Sequence, residues 1–350
     1  MRALLGPLLV ASLLGGSLMS VSADSIEAPG DLIPEGRVSL QVGDLTATVI
    51  DNAPLEEHAG RYNGLTRVVH AAGPESFFVP TYAGLNFEHL YDAETDGFSP
   101  REGAYGLRRL GPTAVALYRP AAEEPHWQVE SLSTFTCSAP STIDFEFACV
   151  PRRQDYAGGF LGAFWASYID APLVRSIYFL GRRAGTDEPP RWVTAYSPEH
   201  GVQSCHLHEA DPGDCSPREL PVLASLERGR SPYEFTEWFY YGRSGSLVWI
   251  MMFDPGSLDE GERLRFAQSP TGGGGRNPAW DFCYLIKGPQ AGRRYGFRAR
   301  AVLKPFAGSE DVIREYERWL GLHVPRPSEP EPEVGELDPL TGQWLQLPGE

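Results

Sequence analysis

Long apolar runs are scarce in this 350-residue sequence. Past its first two dozen residues, no stretch approaches the roughly 20 apolar residues that a membrane-spanning helix needs. No membrane insertion is therefore expected once that leader is removed. Basic residues are also in short supply. Lys and Arg number 30 against 46 Asp and Glu, a net charge of −16. Such a surface repels nucleic acid and anionic lipid, which leaves a carbohydrate or another small polar molecule as the expected partner. Several markers of chemistry are absent as well. The sequence has no Gly-x-Ser-x-Gly elbow, no His-Glu-x-x-His and no dinucleotide fingerprint, so triad, zincin and nicotinamide enzymes lose their usual support. The run Gly272 to Gly275 lacks the Gly-Lys-Ser/Thr ending and following helix of a phosphate loop. No cofactor and no metal are expected.

Cysteine is limited to five residues: Cys137, Cys149, Cys205, Cys215 and Cys283. Cys205 and Cys215 bracket the turn-rich Asp211-Pro212-Gly213-Asp214 and are the expected disulfide. Cys137 and Cys149 lie at unequal distances from their intervening turn, which disfavours a bond between them. Cys283, in an apolar run, reads as a buried thiol. Cys205-His206-x-His208 with Cys215 matches no standard zinc spacing.

What is present first is a leader. Arg2 is followed by an uncharged, apolar stretch from Ala3 to Met19, and then by small residues at Val21-Ser22-Ala23. That is the three-part pattern of a cleavable secretory signal, with cleavage before Asp24. The alternative, a membrane anchor, meets a run broken by Gly6, Pro7, Gly15 and Gly16. The mature chain is thus expected to be secreted or periplasmic. Its expected parts are a leader arm at 24–36, a β-sandwich domain at 37–308, a helix at 309–324 and a Pro/Glu-rich tail at 325–350.

The domain assignment rests on periodicity. Val38, Leu40 and Val42 alternate with polar residues, and after Gly43-Asp44 the pattern repeats to Ile50, which predicts a hairpin. Similar runs recur at 65–70, 113–118, 127–137, 142–150, 160–169, 174–180, 191–196, 245–253, 279–287 and 293–304. Turn clusters separate them, and neither a repeat nor a βαβ alternation appears. The fold class is mainly β: a large antiparallel sandwich with one C-terminal helix. For that helix, Ser309 supplies a cap, Ile313, Tyr316 and Leu320 an apolar stripe, and Pro325 a stop.

Three clusters carry candidate chemistry. The first runs from Tyr82 to Asp92 and contains Asn86, Glu88, His89 and Tyr91. If the segment is an extended strand, Asn86 and Glu88 share one face while Phe87 and His89 share the other. A polar strand-to-turn junction is the alternative. The second is Glu237-Trp238-Phe239-Tyr240-Tyr241-Gly242-Arg243, where aromatic rings offer stacking faces and Glu and Arg bind hydroxyls. Here the alternative is an edge strand feeding the core. The third includes Arg276, Asn277, Trp280 and Asp281 behind the glycine run, with a plain surface loop as its alternative. His200 completes the set. The segments around His89, His200, Glu237 and Arg276 are expected to line one concave site.

Several of these segments together give a family resemblance. They are Tyr62-Asn63-Gly64, Asn86-Phe87-Glu88-His89, the mid-chain His200 and the closing Arg294-Tyr295-Gly296-Phe297-Arg298. On them the chain resembles the galactose mutarotase-like group, whose β-supersandwich also serves some glycoside hydrolases and polysaccharide lyases. It is similar, too, to uncharacterised secreted bacterial proteins with the Gly-Leu-Asn-Phe-Glu-His and Asn-Pro-Ala-Trp-Asp-Phe segments. The resemblance spans about residues 37–308 and implies that His89 and His200 face a sugar. The late glutamate that serves aldose epimerases as a base has no counterpart, since no Glu lies between Glu262 and Ser309. Asp281 or Glu237 would have to replace it.

The expectation is a carbohydrate-active protein working by acid/base chemistry on a sugar, in an epimerase-, hydrolase- or lyase-like reaction. His200 or His89 would be the acid, and Glu237, Glu88 or Asp281 the base. Arg243, Arg276 and Asn277 would orient hydroxyls, with Trp238 and Trp280 as ring platforms and Asn86, Tyr91 and Tyr240 as further contacts. A non-catalytic carbohydrate-binding module and a structural, envelope-associated protein are the alternatives.

Overall fold

The computed structural model describes residues 25–53, 61–73, 75–123, 125–217, 229–271, 276–328, 336–337 and 344–345. The segment expected to be a cleaved signal, with its expected cleavage before Asp24, the glycine run 272–275 and most of the tail lie outside these residues. The rest is a sandwich of antiparallel sheets. An eleven-stranded sheet carries, in spatial order, Asp31–Leu32, Gly106–Gly111, Ala114–Arg119, Val129–Ser138, Thr142–Pro151, Tyr295–Pro305, Leu247–Phe253, Phe239–Ser244, Ile177–Arg183 and Arg191–Ala195. Tyr233–Phe235 pairs with Ile177–Arg183 off this path. The second sheet has six strands, ordered Cys205–His206, Glu262–Ser269, Ala279–Lys287, Phe160–Ala166, Asn86–Tyr91 and Asp96–Gly97. A three-stranded sheet begins with the predicted hairpin, Arg37–Val42 and Leu45–Ile50, closed at Val42 and Leu45. Gly43 turns it in the left-handed region (φ 58°), and a Cβ there would lie 2.3 Å from the Pro140 carbonyl oxygen.

Alternation explains the sandwich. Phe145 and Phe147 of the large sheet and Phe297 beside them face inward. They meet Phe87, Trp165 and Phe282 of the smaller sheet, with Phe147–Trp165 centroids 4.7 Å apart and Phe297–Trp165 centroids 5.3 Å apart. Aromatic contacts of this kind add about 0.5–1.5 kcal/mol each to the burial of their area.

The one α-helix among the described residues, Ser309–Leu320, lies on the outer face of the large sheet. Val312, Ile313 and Tyr316 pack there against Phe239, Tyr241, Ile250 and Met252. Its ends differ from the expectation. Gly308, not Ser309, occupies the N-cap, with no side-chain cap, so Glu310 and Asp311 act only through the dipole of the first turn. Gly321 ends the helix in the left-handed conformation, its N–H bonded to the Glu317 carbonyl, four residues before Pro325.

Two strands depart from the sequence reading. Phe239–Ser244 is interior, paired with Leu247–Phe253 and with Ile177–Arg183, rather than an edge. Glu262–Ser269 is a full strand of the smaller sheet that periodicity did not bring out. Its outward residue Arg265 is wholly buried, so neither face of the strand is polar and exposed.

Candidate functional site

A bulge in Asn86–Tyr91 builds the site. Phe87 stands opposite Trp165 and His89 opposite Phe164, which leaves Glu88 as the extra residue between two consecutive partners. A bulge shifts side-chain parity by one. Phe87 stays in the core, whereas Asn86, Glu88 and His89 all emerge on the outer face of the six-stranded sheet. The expected split, with His89 opposite Glu88, is corrected accordingly. Asn63 fixes the bulge from the side. Its amide donates to the Phe87 carbonyl (2.8 Å), and its oxygen accepts from the Phe87 N–H (3.0 Å).

Glu88 is the hub, and it is 4% exposed. Its oxygens accept from Asn86 Nδ2 (3.0 Å), from Arg101 (2.9 Å) and from the Tyr168 hydroxyl, which reaches both oxygens at 2.9 and 3.0 Å. Arg101 is held in place by donation to the Arg61 carbonyl and by stacking over the Tyr62 ring, 3.7 Å from its centre. Tyr62, Tyr82 and Tyr168 form a half-buried triangle with centroid separations of 5.3–5.9 Å. His89 lies between Phe98 and Phe164, with Glu88 at 3.9 Å and Asp96 at 3.7 Å, and its Nδ1 has no hydrogen-bond partner.

Asp281 joins this face from Ala279–Lys287, where it alternates with the core residues Trp280 and Phe282. Its Oδ1 accepts from the Ser167 N–H (3.0 Å). Burial pushes its pKa well above the usual carboxylate range, and the charge of Glu88 adds to the rise, against the Ser167 bond. Burial likewise raises the Tyr168 hydroxyl, with Glu88 and Asp281 adding to the effect. His200, exposed on the loop after Arg191–Ala195, is close enough for the charge on His89 to lower its pKa; desolvation is the larger cause. Glu88 and His89 of one strand and Asp281 of another thus share one face, and the loop carrying His200 comes within electrostatic range of it.

The other sequence-derived candidates lie elsewhere. Glu237 sits beside Tyr316 of the helix, on the outer side of the opposite sheet, and desolvation raises its pKa. One concave site holding both Glu237 and His89 is therefore not formed, because the core separates them. Trp238 stacks on His208 (4.3 Å). Tyr240 and Trp280 are core residues: the Tyr240 hydroxyl donates to the Trp280 carbonyl, and the Trp280 indole donates to the Arg175 carbonyl. Neither ring is available as a platform. Arg243 stacks over Phe306. Tyr91 is fully buried against Gly162, where a Cβ would meet its ring at 2.3 Å. Asn277 accepts from the Ala171 N–H, and Arg276 is exposed beside it.

The expected Cys205–Cys215 disulfide is not formed, and all five cysteines are buried without one. Cys205 opposes Ala267 on the sheet, while Cys215 packs with Cys283 and Leu285 in the outer apolar cluster. The loop between them is closed instead by the buried Asp211–Arg265 pair. Burial raises the Cys215 thiol to about 11. Among the described residues no three metal-ligating side chains gather, and no helix is long and apolar enough to cross a membrane.

Residue-level reasoning missed Arg101 and Tyr168, and used Tyr62 and Tyr82 only as parts of longer segments. Arg101 lies in a Ser-Pro-Arg turn and Tyr168 at the end of an apolar strand. Neither neighbourhood signals a site; only pairing with Glu88 across the sheet does.

No family model and no curated protein matches the chain. Solved structures give distant likenesses. A GalM/aldose epimerase homologue from C. elegans aligns at 8% identity and a TM-score of 0.39, over 77% of this chain and 99% of that one. A TPR-domain containing protein from Parabacteroides distasonis aligns at 8% and 0.42, over 84% and 49%. A mutant heparan sulfate lyase from Pedobacter heparinus aligns at 8% and 0.36, over 75% and 33%. The epimerase homologue is of the group that the sequence resemblance named. At these identities and scores the alignments assign no role to any residue of this chain.

Proposed function

We propose that this chain is an exported carbohydrate-active protein whose site is the outer face of the six-stranded sheet around Glu88. One observation carries the reading. Glu88, His89, His200 and Asp281 converge beside the half-exposed rings of Tyr62, Tyr82 and Tyr168. Aromatic faces beside hydrogen-bonding and titratable groups suit a sugar ring and its hydroxyls. Two groups are suited to exchange protons with a bound hydroxyl. His200, its pKa lowered, is an uncharged imidazole at neutral pH and serves as base. Tyr168 carries its proton between both Glu88 oxygens and serves as donor, with Glu88 and Arg101 holding its orientation. Asp281, whose burial disfavours its charged form, lies beneath the site. Of the two acids considered for the missing late glutamate, only Asp281 belongs to this cluster.

A second reading, a carbohydrate-binding module without turnover, is favoured by the state of Glu88, which three donor groups already occupy. One experiment separates the two. The exported protein is assayed on a panel of monosaccharides and glycans for anomeric interconversion, hydrolysis and eliminative cleavage, alongside Tyr168→Phe and His200→Ala. The first reading expects turnover that both substitutions reduce by at least about 100-fold in protein that remains folded at the assay temperature. Binding without turnover selects the module, and wild type that neither binds nor turns over any sugar defeats both.

A further inference from the structure

The large sheet carries a groove of its own, of ≈ 410 Å³, on the face away from Glu88. Its floor follows from register. Glu146 stands between Thr134 and Arg298 in one cross-strand row, and Ala148 between Leu132 and Gly296 in the next. Tall polar residues thus border a row that is low at Ala148 and Gly296 and rises at Leu132. Gly296 keeps its part of that row low, since a Cβ there would lie 2.2 Å from the Phe147 carbonyl oxygen. The Pro255–Ser257 turn forms one wall: Ser257 Oγ accepts from the Arg298 N–H (3.0 Å) and donates to the Asp254 carbonyl (2.6 Å). On the opposite side, Ile26 of the N-terminal arm is buried against Ala148 and Val150. Beneath the groove Glu262 is committed to the Tyr284 hydroxyl (2.6 Å) and the Asp259 N–H (2.7 Å), so it supports the wall.

Among the described residues, the side chains of Thr134, Glu146 and Arg294 make no hydrogen bond or ion pair within the protein, though all three line this groove. A hydroxyl, a carboxylate and a guanidinium therefore offer unused hydrogen-bonding capacity over one depression. The mixture selects the ligand. An anion would meet Glu146, and a cation would meet Arg294 and Arg298. A neutral polyol, whose every hydroxyl both donates and accepts, satisfies all three groups at once. Three neighbouring strands span about 10 Å, and the volume lies at the lower end of ligand sites, which together fit a short segment of a neutral glycan. We infer that this groove is a second, independent carbohydrate-binding site for a neutral oligosaccharide, held by Thr134, Glu146 and Arg294.

The test is calorimetric titration of the full chain with cellotriose, maltotriose, xylotriose and mannotriose, using wild type, Glu146→Ala, Arg294→Ala, Thr134→Trp and Tyr168→Phe. The three groove residues are half-buried or exposed, so their variants should keep the wild-type Tm. Expected is binding of at least one trisaccharide that Glu146→Ala and Arg294→Ala each weaken about tenfold. Thr134→Trp abolishes that binding by filling the groove, and Tyr168→Phe leaves it unchanged. The inference is overturned if no trisaccharide binds, or if one binds and the groove variants leave its affinity unaltered. Binding lost only in Tyr168→Phe also overturns it, and assigns the sugar to the Glu88 face.

Discussion

Two buried carboxylates on the outer face of the same sheet contrast in how their charge is handled. Asp211 is matched one to one. Arg265 donates to it through Nε at 2.7 Å and NH2 at 3.3 Å, spends NH1 on the Cys215 carbonyl, and both side chains are almost wholly buried. Such a pair closes a loop and leaves nothing to exchange. Around Glu88 the stoichiometry fails. Three carboxyls, Glu88, Asp96 and Asp281, and two imidazoles gather around one guanidinium, with a tyrosine hydroxyl at the solvent edge. Burial is common to both clusters. What distinguishes a fastener from a candidate site is whether titratable groups exceed their fixed partners and whether one side stays open.

The largest effect is expected where the match is complete. Arg265→Ala leaves Asp211 buried and uncompensated, at a cost of about 3–5 kcal/mol in urea unfolding. The pair Asp211→Leu with Arg265→Met restores most of it. A loss under about 1 kcal/mol in the single variant would remove the fastener from the comparison.

Acid and alkaline titrations come next, because the two clusters respond in opposite directions. Beside the fastener, burial lowers His206 to about 3 and His208 to about 4. Below 6.5 the unfolded chain takes protons that these folded imidazoles refuse. Their stabilisation is therefore complete above 6.5 and is lost as pH falls toward about 4 and then about 3. Asp281 behaves inversely: the folded carboxyl keeps a proton that the unfolded chain releases near 3.8, so its contribution is complete below 3.8 and is lost as pH rises. Stability measured against pH should lose part of its acid limb in His208→Gln and part of its decline above 3.8 in Asp281→Asn. Identical curves for all three proteins would refute the assigned burial effects.

A smaller stability effect with a large functional one is expected at Tyr168. Tyr168→Phe removes a hydroxyl bonded to Glu88 and should cost about 1–2 kcal/mol by denaturation, while sugar turnover or binding at that face falls sharply. A thermal shift without a functional change would make the Glu88 cluster a second fastener. The smallest effect belongs to the residues the structure sets apart. Arg276→Ala should alter stability by no more than about 0.5 kcal/mol, and Glu237→Gln should leave affinity at the Glu88 face unchanged, as equilibrium titration would show.

Much of the architecture was legible because β periodicity is local. Val38–Val42 and the runs at 142–150 and 293–304 alternate as half-buried strands must, those at 245–253 and 279–287 are apolar runs buried on both faces, and all pair as antiparallel sheets. Glu262–Ser269 escaped because Arg265 occupies an outward position that a folded-over loop then buries. The Cys205–Cys215 expectation failed for a related reason. Ten residues of turn-rich sequence state that two cysteines are near in chain, not which way each thiol points, and a buried ion pair already closes that loop.

By itself, then, the sequence determined strand composition, the acidic surface and the set of polar segments worth inspecting, since each depends on residues within a few positions of one another. The tertiary structure decided everything that depends on parity and pairing. A single bulge at Glu88 put His89 on the face it had been expected to leave, and the register of Ala279–Lys287 brought Asp281 there while keeping Trp280 in the core. It also brought Arg101 and Tyr168 to Glu88 from segments 13 and 80 residues away and placed Glu237 against the helix on the other sheet. Side-chain direction along a strand has a period of two, so one extra residue reverses it, and no local pattern in Asn86-Phe87-Glu88-His89 marks which residue is the extra one.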